Sequence, residues 1–600
     1  MPLARRHLVP ALVAATALTV AFESARVFAG PDEPGKSGTV AAEATSQRVD
    51  ALLEKAWKDQ EVTARPLAPD AEFLRRVTLD LTGVIPTEEA TRAFLESTSP
   101  AKRRDLVRAL LQDPGYGRSM GTRWAYLLVG RDYLLRMQQG KRAQNLMRLR
   151  QGRRARMEEA MSGESPAMDG AGMGAGKDEA AYEDEEYQTL TEWLGDELLA
   201  NRPWDELTRE LIAAEGRADR VPAAHYMLRY TRDGKAEEMT GSVMRVFQGL
   251  QLQCAQCHDH HTAKWTQRDF YGIAAYFART NSRRLPAPDD APKGPDGKPK
   301  KKGPYMVFER PSGQIRIPAE PGVTGPLVLP TFVDGRVTPP GGGVNRRAAL
   351  AELITADDNP YFARATVNRV WSFFFGRGIV DPVDDFDEGE AAVPGLLELL
   401  SDDFRQSGYD MRRLIEVIVS TQAYQRTSAG PLDNKEQELA LFARAPLRAL
   451  SAEQLFYSVL EATGMEDLRG ADPRRFRRLE QQKFQLMRKF LTTFADDEMQ
   501  EVVEEGTIPQ ALLRFNGTLT NEAIRPRPGH PVYDRLFRTP EVDERIQIIY
   551  LRALGRRPTE EERAVLRTAL AEAKGAAALA TTYADVYWAL LNSSEFNFIH

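Results

Sequence analysis

Cysteine is almost absent, with two residues in 600, and that excludes a structural disulfide framework. Histidine is sparse, at seven. Positive charge is not in excess: 80 Lys and Arg stand against 86 Asp and Glu, for a net charge of −6, which leaves no electrostatic footprint for nucleic acid. After the N-terminus no run is apolar and long enough to span a bilayer. The chain also lacks a nucleophile elbow, a P-loop, a Rossmann glycine pattern, an H-E-x-x-H motif and any fixed-period repeat. A hydrophobic content of 42% is enough for real cores, and the length predicts more than one domain.

Both cysteines lie together, in Cys254-Ala255-Gln256-Cys257-His258. C-x-x-C-H is the spacing of c-type haem attachment. Two thiols on one turn reach the two vinyl groups of a haem, and the adjacent imidazole reaches the iron from the same side. Cys254 and Cys257 are thus candidate covalent anchors of one haem c, with His258 as the axial ligand of its iron. The sixth ligand is open among Met306, His225 and His260, with Met227, Met239 and Met244 as further candidates; a five-coordinate iron is the alternative. His260 and His261 share the short segment of His258 and return poorly to the opposite haem face. Trp265, Phe270, Tyr271 and Phe277 are expected to wall the haem or fill the core beside it, and Lys264 and Arg268 are candidate propionate partners. The rival metal reading takes Cys254, Cys257, His258 and His260 as zinc ligands, but adjacent Cys257 and His258 strain a tetrahedral site. A disulfide or free thiols is the third reading.

The N-terminus reads as an export signal over residues 1–29. Arg5 and Arg6 precede an apolar run from Leu8 to Phe22, and Val27-Phe28-Ala29 offers small residues at a cleavage site. A retained anchor is the alternative. Since c-type haem is attached outside the cytoplasmic membrane, signal and motif point the same way, to the periplasm or cell envelope.

Residues 30–45 read as a flexible lead-in. Helical periodicity follows, with Phe73, Leu74, Val77 and Leu81 on one face closed by Gly83, and with Thr87 as an N-cap. Residues 137–186 form a basic-then-acidic low-complexity insertion, part helix and part disorder. Its Met157, Met161, Met168 and Met173 are weak copper candidates. A helix from Ala236 to Leu252 delivers the motif, and one from Thr266 to Thr280 follows it. Pro286 to Gly303 is a linker. Tyr305–Phe308 and Gln314–Ile317, flanking Pro311-Ser312-Gly313, predict a β-hairpin, and Val328–Phe332 an edge strand. Helices are expected at Asn359–Phe375, Gly395–Arg405, Met411–Ser420, Ala452–Leu460, Val542–Leu554 and Thr559–Ala573. The fold class is therefore mainly α. It comprises a helical domain over 46–280, a linker with a small β-hairpin element over 281–345, and a second helical domain over 346–600.

Several runs carry a family resemblance. Arg75-Arg76-Val77-Thr78-Leu79-Asp80-Leu81-Thr82-Gly83, Phe247-Gln248-Gly249 through His260, and Trp265-Thr266-Gln267-Arg268-Asp269-Phe270-Tyr271 resemble the planctomycete-type secreted cytochrome-like domain. Asn359-Pro360-Tyr361-Phe362-Ala363-Arg364-Ala365, Val367-Asn368-Arg369-Val370-Trp371, Asp384-Asp385-Phe386 and Leu554-Gly555-Arg556-Arg557-Pro558-Thr559 resemble its usual C-terminal partner, a domain of unknown function. The resemblance implies an exported, haem-bearing chain and names no reaction. His261 stands where the family continues with proline.

Elsewhere, Asp381, Asp384, Asp385, Asp387 and Glu388 gather after a glycine turn, without EF-hand spacing. Arg364, Asn368 and Arg369 recur on adjacent helical turns and are expected to form buried salt bridges to the Asp384-Asp385 loop, or else to bind a carboxylate or sugar. His530 is a lone loop histidine. Three functions compete. The first is electron transfer or haem-dependent redox chemistry with a redox partner or cell-envelope protein. The second is an extracytoplasmic scaffold that recognises a glycan or partner, and the third a carbohydrate-active hydrolase.

Overall fold

The computed structural model describes residues 38–134, 188–231, 236–286, 302–319, 323–339, 345–387, 389–465, 518–527 and 529–600. The signal, half of the lead-in, the 137–186 insertion with its methionines, and most of the Pro286–Gly303 linker lie outside the described residues. Among the described residues there are 22 helices and only small sheets, so the fold is mainly α.

Local chemistry explains the helix ends. Asp70–Thr82 buries ten consecutive residues from Phe73 to Thr82 and stops at Gly83, whose φ of 74° is the left-handed cap that glycine adopts without strain. Thr87 caps Glu88–Glu96 by accepting from the Ala90 amide. Reciprocal capping boxes open Gln267–Phe277 through Thr266 and Asp269, Ala452–Ala462 through Ser451 and Gln454, and Glu560–Glu572 through Thr559 and Glu562.

The main β element is a three-stranded sheet of β1 (Gly216–Arg217), β2 (Thr280–Pro286) and β3 (Lys302–Glu309), in the order β1-β3-β2 and antiparallel throughout. β4 (Ile315–Arg316) pairs with β5 (Leu327–Val328). This corrects the expected hairpin: Tyr305–Phe308 pairs on one side with 280–286, Asn281 opposite Phe308, and on the other with Gly216–Arg217, both earlier in the chain. The segment 280–286, which spans the expected helix end at Thr280 and the expected linker start at Pro286, is strand β2. Its two arginines stack on aromatic rings of β3, Arg283 over Phe308 and Arg284 over Tyr305.

The chain forms two compact units. Among the described residues, the first gathers 38–116 with 412–465 and 518–600; the second is drawn from 117–411. Each unit thus takes described residues from both sides of the 281–345 region.

The first unit is tied by buried charge. Arg75 and Arg76 are 1% and 2% exposed. Arg75 donates to the carbonyls of Ala553 (3.2 Å) and Phe596 (2.7 Å). Arg76 donates to those of Tyr424 (2.6 Å), Arg426 (2.8 Å) and His600 (3.0 Å), and pairs with Glu72 at 2.6 Å. Asp80 accepts from the Tyr424 hydroxyl at 2.8 Å and pairs with Arg448 at 2.7 Å.

The second unit repeats the device. Arg347, fully buried, donates to the carbonyls of Ile212 (2.9 Å) and Ala214 (2.8 Å). Arg346 reaches those of Ala275 (2.9 Å) and Gly313 (3.1 Å). Beside them Trp124 packs on Trp204 with ring centroids 4.2 Å apart.

Candidate functional site

The cysteine motif lies in the second unit. Helix Ala236–Gln248 ends at Gly249, whose φ is 62°. The chain then turns into a 3-10 helix at Leu252–Gln256, which packs against Ala236–Gln248 and Gln267–Phe277. The helix expected up to Leu252 thus stops four residues early, because glycine in the left-handed region ends it. Leu252 and Ala255 face the core, which turns Cys254 and Cys257 outward.

Both thiols and His258 are exposed. The His258 Nδ1 lies 2.9 Å from the Asp259 carbonyl oxygen. A carbonyl only accepts, so in the neutral ring Nδ1 carries the proton and Nε2 keeps its lone pair. That is the orientation a metal-bound imidazole needs, with its other nitrogen held by a hydrogen bond. The ring of His261 lies 4.4 Å from that of His258.

The loop is strapped on its far side. The His260 amide donates to the Trp265 carbonyl at 2.8 Å. The Asp259 carboxylate accepts from the Gln267 amide at 2.8 Å, at the open start of the next helix, and the Gln267 side chain donates to the carbonyls of Gln256 (3.0 Å) and Cys257 (3.2 Å). Asp259 and Gln267 are working parts of the loop, and the Thr266 cap opens the helix whose first amide holds Asp259.

The expected aromatics lie beneath the motif. Trp265, Phe270, Tyr271 and Phe277 are all buried. Burial first, then Glu237 and Cys257, hold the Tyr271 hydroxyl above its ordinary pKa. Lys264 lies over the Trp265 ring at 4.7 Å.

The sixth-ligand candidates sit in different settings. His225, on Ala224–Thr231, is 5% exposed with Nδ1 3.0 Å from the Tyr133 hydroxyl, and burial lowers its pKa to about 4. Met306 lies in β3, opposite Arg217 and Arg283. The His225 helix packs on β2 and β3, so the structure brings His225 and Met306 to one sheet. His260 uses Nδ1 to accept from the amides of Ala263 (3.0 Å) and Thr262 (3.3 Å). Its neutral ring therefore carries the proton on Nε2.

Among the described residues no three His, Cys, Asp or Glu side chains are gathered as a metal ion requires. The four zinc-ligand candidates are therefore not arranged as a tetrahedral set. The same holds for Asp381, Asp384, Asp385 and Asp387 as a calcium loop, with Glu388 outside the described residues. For haem the residues present fit: two outward thiols and an oriented imidazole on one turn are reachable without opening the core.

The acidic loop has another part to play. Asn368, fully buried, clamps it by accepting from the Val380 amide (2.9 Å) and donating to the carbonyls of Val380 (2.8 Å) and Val383 (3.3 Å). The helix expected at Asn359–Phe375 spans Phe362–Phe375. Its buried Arg369 has Asp384 among its charged neighbours, Arg364 pairs with Glu398 at 3.5 Å and lies over the Phe386 ring, and Arg245 pairs with Asp384 at 3.7 Å. Arg369 donates to the Arg245 carbonyl at 3.2 Å.

His530 is 2% exposed and donates from Nε2 to the Ala523 carbonyl at 2.8 Å. Burial holds its pKa below the ordinary value, which fits a neutral structural ring at the start of Pro531–Arg538. Among the described residues no helix is long and apolar enough to cross a membrane.

Comparison with known families gives two matches. Residues 48–151 and 167–282 match PSCyt2, a protein of unknown function (DUF1549), and residues 346–570 match PSD1, a protein of unknown function (DUF1553). No curated protein and no solved structure matches the chain. The two matches stand in the order that the resembling runs imply, one ending just after the motif's helical flank and the other starting before Asn359, and the chain belongs to the two-domain planctomycete cytochrome-like family, with a PSCyt2 domain followed by a PSD1 domain.

Proposed function

We propose that the chain is an exported c-type haem protein that serves electron transfer or haem-dependent redox chemistry outside the cytoplasmic membrane. Cys254 and Cys257 would hold one haem c through thioether bonds, each thiol adding across a vinyl group, and His258 Nε2 would bind the iron. The bound haem supplies a reversible one-electron site. The observation that carries the reading is the pairing of two outward thiols with an imidazole whose Nδ1 is tied to the Asp259 carbonyl, leaving Nε2 free. The signal-like residues 1–29 support export.

The test is expression with a cytochrome c maturation system. Haem that survives denaturation and gives a pyridine haemochrome is expected, and Cys254→Ser with Cys257→Ser should abolish it. A folded chain without a Soret band overturns the reading.

A further inference from the structure

We propose that the loop Val383–Asp387, in the PSD1 segment, is the positioning half of the C-x-x-C-H site in the PSCyt2 segment. It rests on the haem reading for the site's chemistry, and on contacts alone for the coupling.

The loop holds the motif from both flanks. On the N-terminal side the Phe386 amide donates to the Gly249 carbonyl at 2.9 Å, and Gln251 donates to Asp384 at 3.2 Å. On the C-terminal side the indole N–H of Trp265 donates to the Asp387 carboxylate. Trp265 is 3% exposed, and its carbonyl closes the motif loop on the His260 amide. Cys254, Cys257 and His258 therefore lie on a segment whose two ends are pinned to one five-residue loop.

Glycine at 249 is an independent mark of the same contact. Its φ is 62°, and a Cβ there would stand 2.7 Å from the Phe386 ring. The helix before the motif can end only where a residue without a side chain lets Phe386 approach.

The loop is itself rigid. Asn368 holds its base at Val380 and Val383. The Asp385 side chain accepts from the Asp387 amide at 3.2 Å. Phe386, Asp384 and Asp387 thus act as positioning residues: they touch no thiol, and they set where the thiols and the His258 ring stand.

The experiment compares the full chain with Phe386→Ala and Asp387→Ala. Amide hydrogen exchange is followed in the haem-free protein at His260 and Gln267, whose amides close the motif loop. Both amides are expected to exchange about ten-fold faster in each variant, with the rest of the second unit unchanged. After maturation, the variants are expected to carry less covalent haem and to shift in Soret maximum and midpoint potential. If Phe386→Ala fails to fold, the exposed Asp387→Ala carries the test. Unchanged exchange in folded Asp387→Ala overturns the proposal whatever the haem content. Faster exchange in a chain whose parent takes up no haem overturns the haem reading and leaves the coupling standing.

Discussion

Buried arginines recur at the joints of this chain, and their chemistry explains why. Taking a guanidinium out of water is costly unless its N–H groups find acceptors. Arg75, Arg76, Arg346 and Arg347 find them in backbone carbonyls far away in sequence. Burial lowers the Arg75 pKa to about 10, so the group stays charged at neutral pH. His225 solves the same problem the other way, by staying neutral. Its folded pKa of about 4 lies below the ordinary histidine value of 6.5. Between those two values the unfolded chain binds the proton and the folded chain does not, so stability rises with pH through that window and is lost as pH falls through it. The shift corresponds to about 3 kcal/mol at most. Replacement with a neutral side chain, His225→Gln, is expected to flatten the slope by up to one proton, so that its loss of stability relative to the parent grows from pH 4.5 to pH 6.5. Urea unfolding at pH 4.5, 5.5 and 6.5 reads this; parallel curves for parent and variant would refute the burial assignment.

At the scale of elements, the presence of helices was legible in the sequence, while several of their ends, such as Gln248 and Phe362, were not. Thr87, Thr266, Ser451 and Thr559 announce their helices because a short side-chain acceptor followed three residues later by an amide in need is a local event. Val542–Leu554 and Met411–Ser420 follow the same logic through periodicity alone. Strand partners were not legible. β3 was visible as a strand, but its neighbours at 216–217 and 280–286 are chosen by tertiary pairing that no local pattern encodes. The motif was legible as Cys254, Cys257 and His258, whereas its support through Gln267, Gly249 and Phe386 depends on contacts across up to 137 positions, from Gly249 to Phe386. The cap at Thr266 is where both kinds of information meet, since it opens the helix whose first amide holds Asp259. Thr266→Ala is expected to cost about 1 kcal/mol and to fray that first turn. Thermal unfolding should show a small drop, and amide exchange at Gln267 a rise; an unchanged Gln267 amide would show that the strap does not depend on the cap.

For the whole molecule, the family boundaries and the compact units cut the chain in different places. PSCyt2 ends at 282 and PSD1 begins at 346, yet each compact unit contains described residues of both. In the first unit the run Arg75 to Thr82 lies wholly in the core, and both carbonyls that Arg75 donates to lie past residue 550. In the second, Asn359 donates to Gln248 at 3.0 Å and the Tyr409 carbonyl accepts from Trp204 at 3.1 Å. The resembling runs are therefore largely seams: Arg75, Arg76 and Asp80 on one side, Asn359 and Arg369 on the other, each bonded to a group in the other family segment. Splitting the chain between 286 and 346 removes at least one long-range partner from each of these groups, at roughly 1–3 kcal/mol for each buried group left unsatisfied, against a total stability of about 5–15 kcal/mol for a domain. Residues 30–286 and 346–600 made separately are each expected to lack a cooperative thermal transition and dispersed amide resonances. Made together in one cell, the two pieces should recover both and co-purify. A piece that folds cooperatively by itself would show that its family segment is an independent domain and that the buried arginines are not what joins the two.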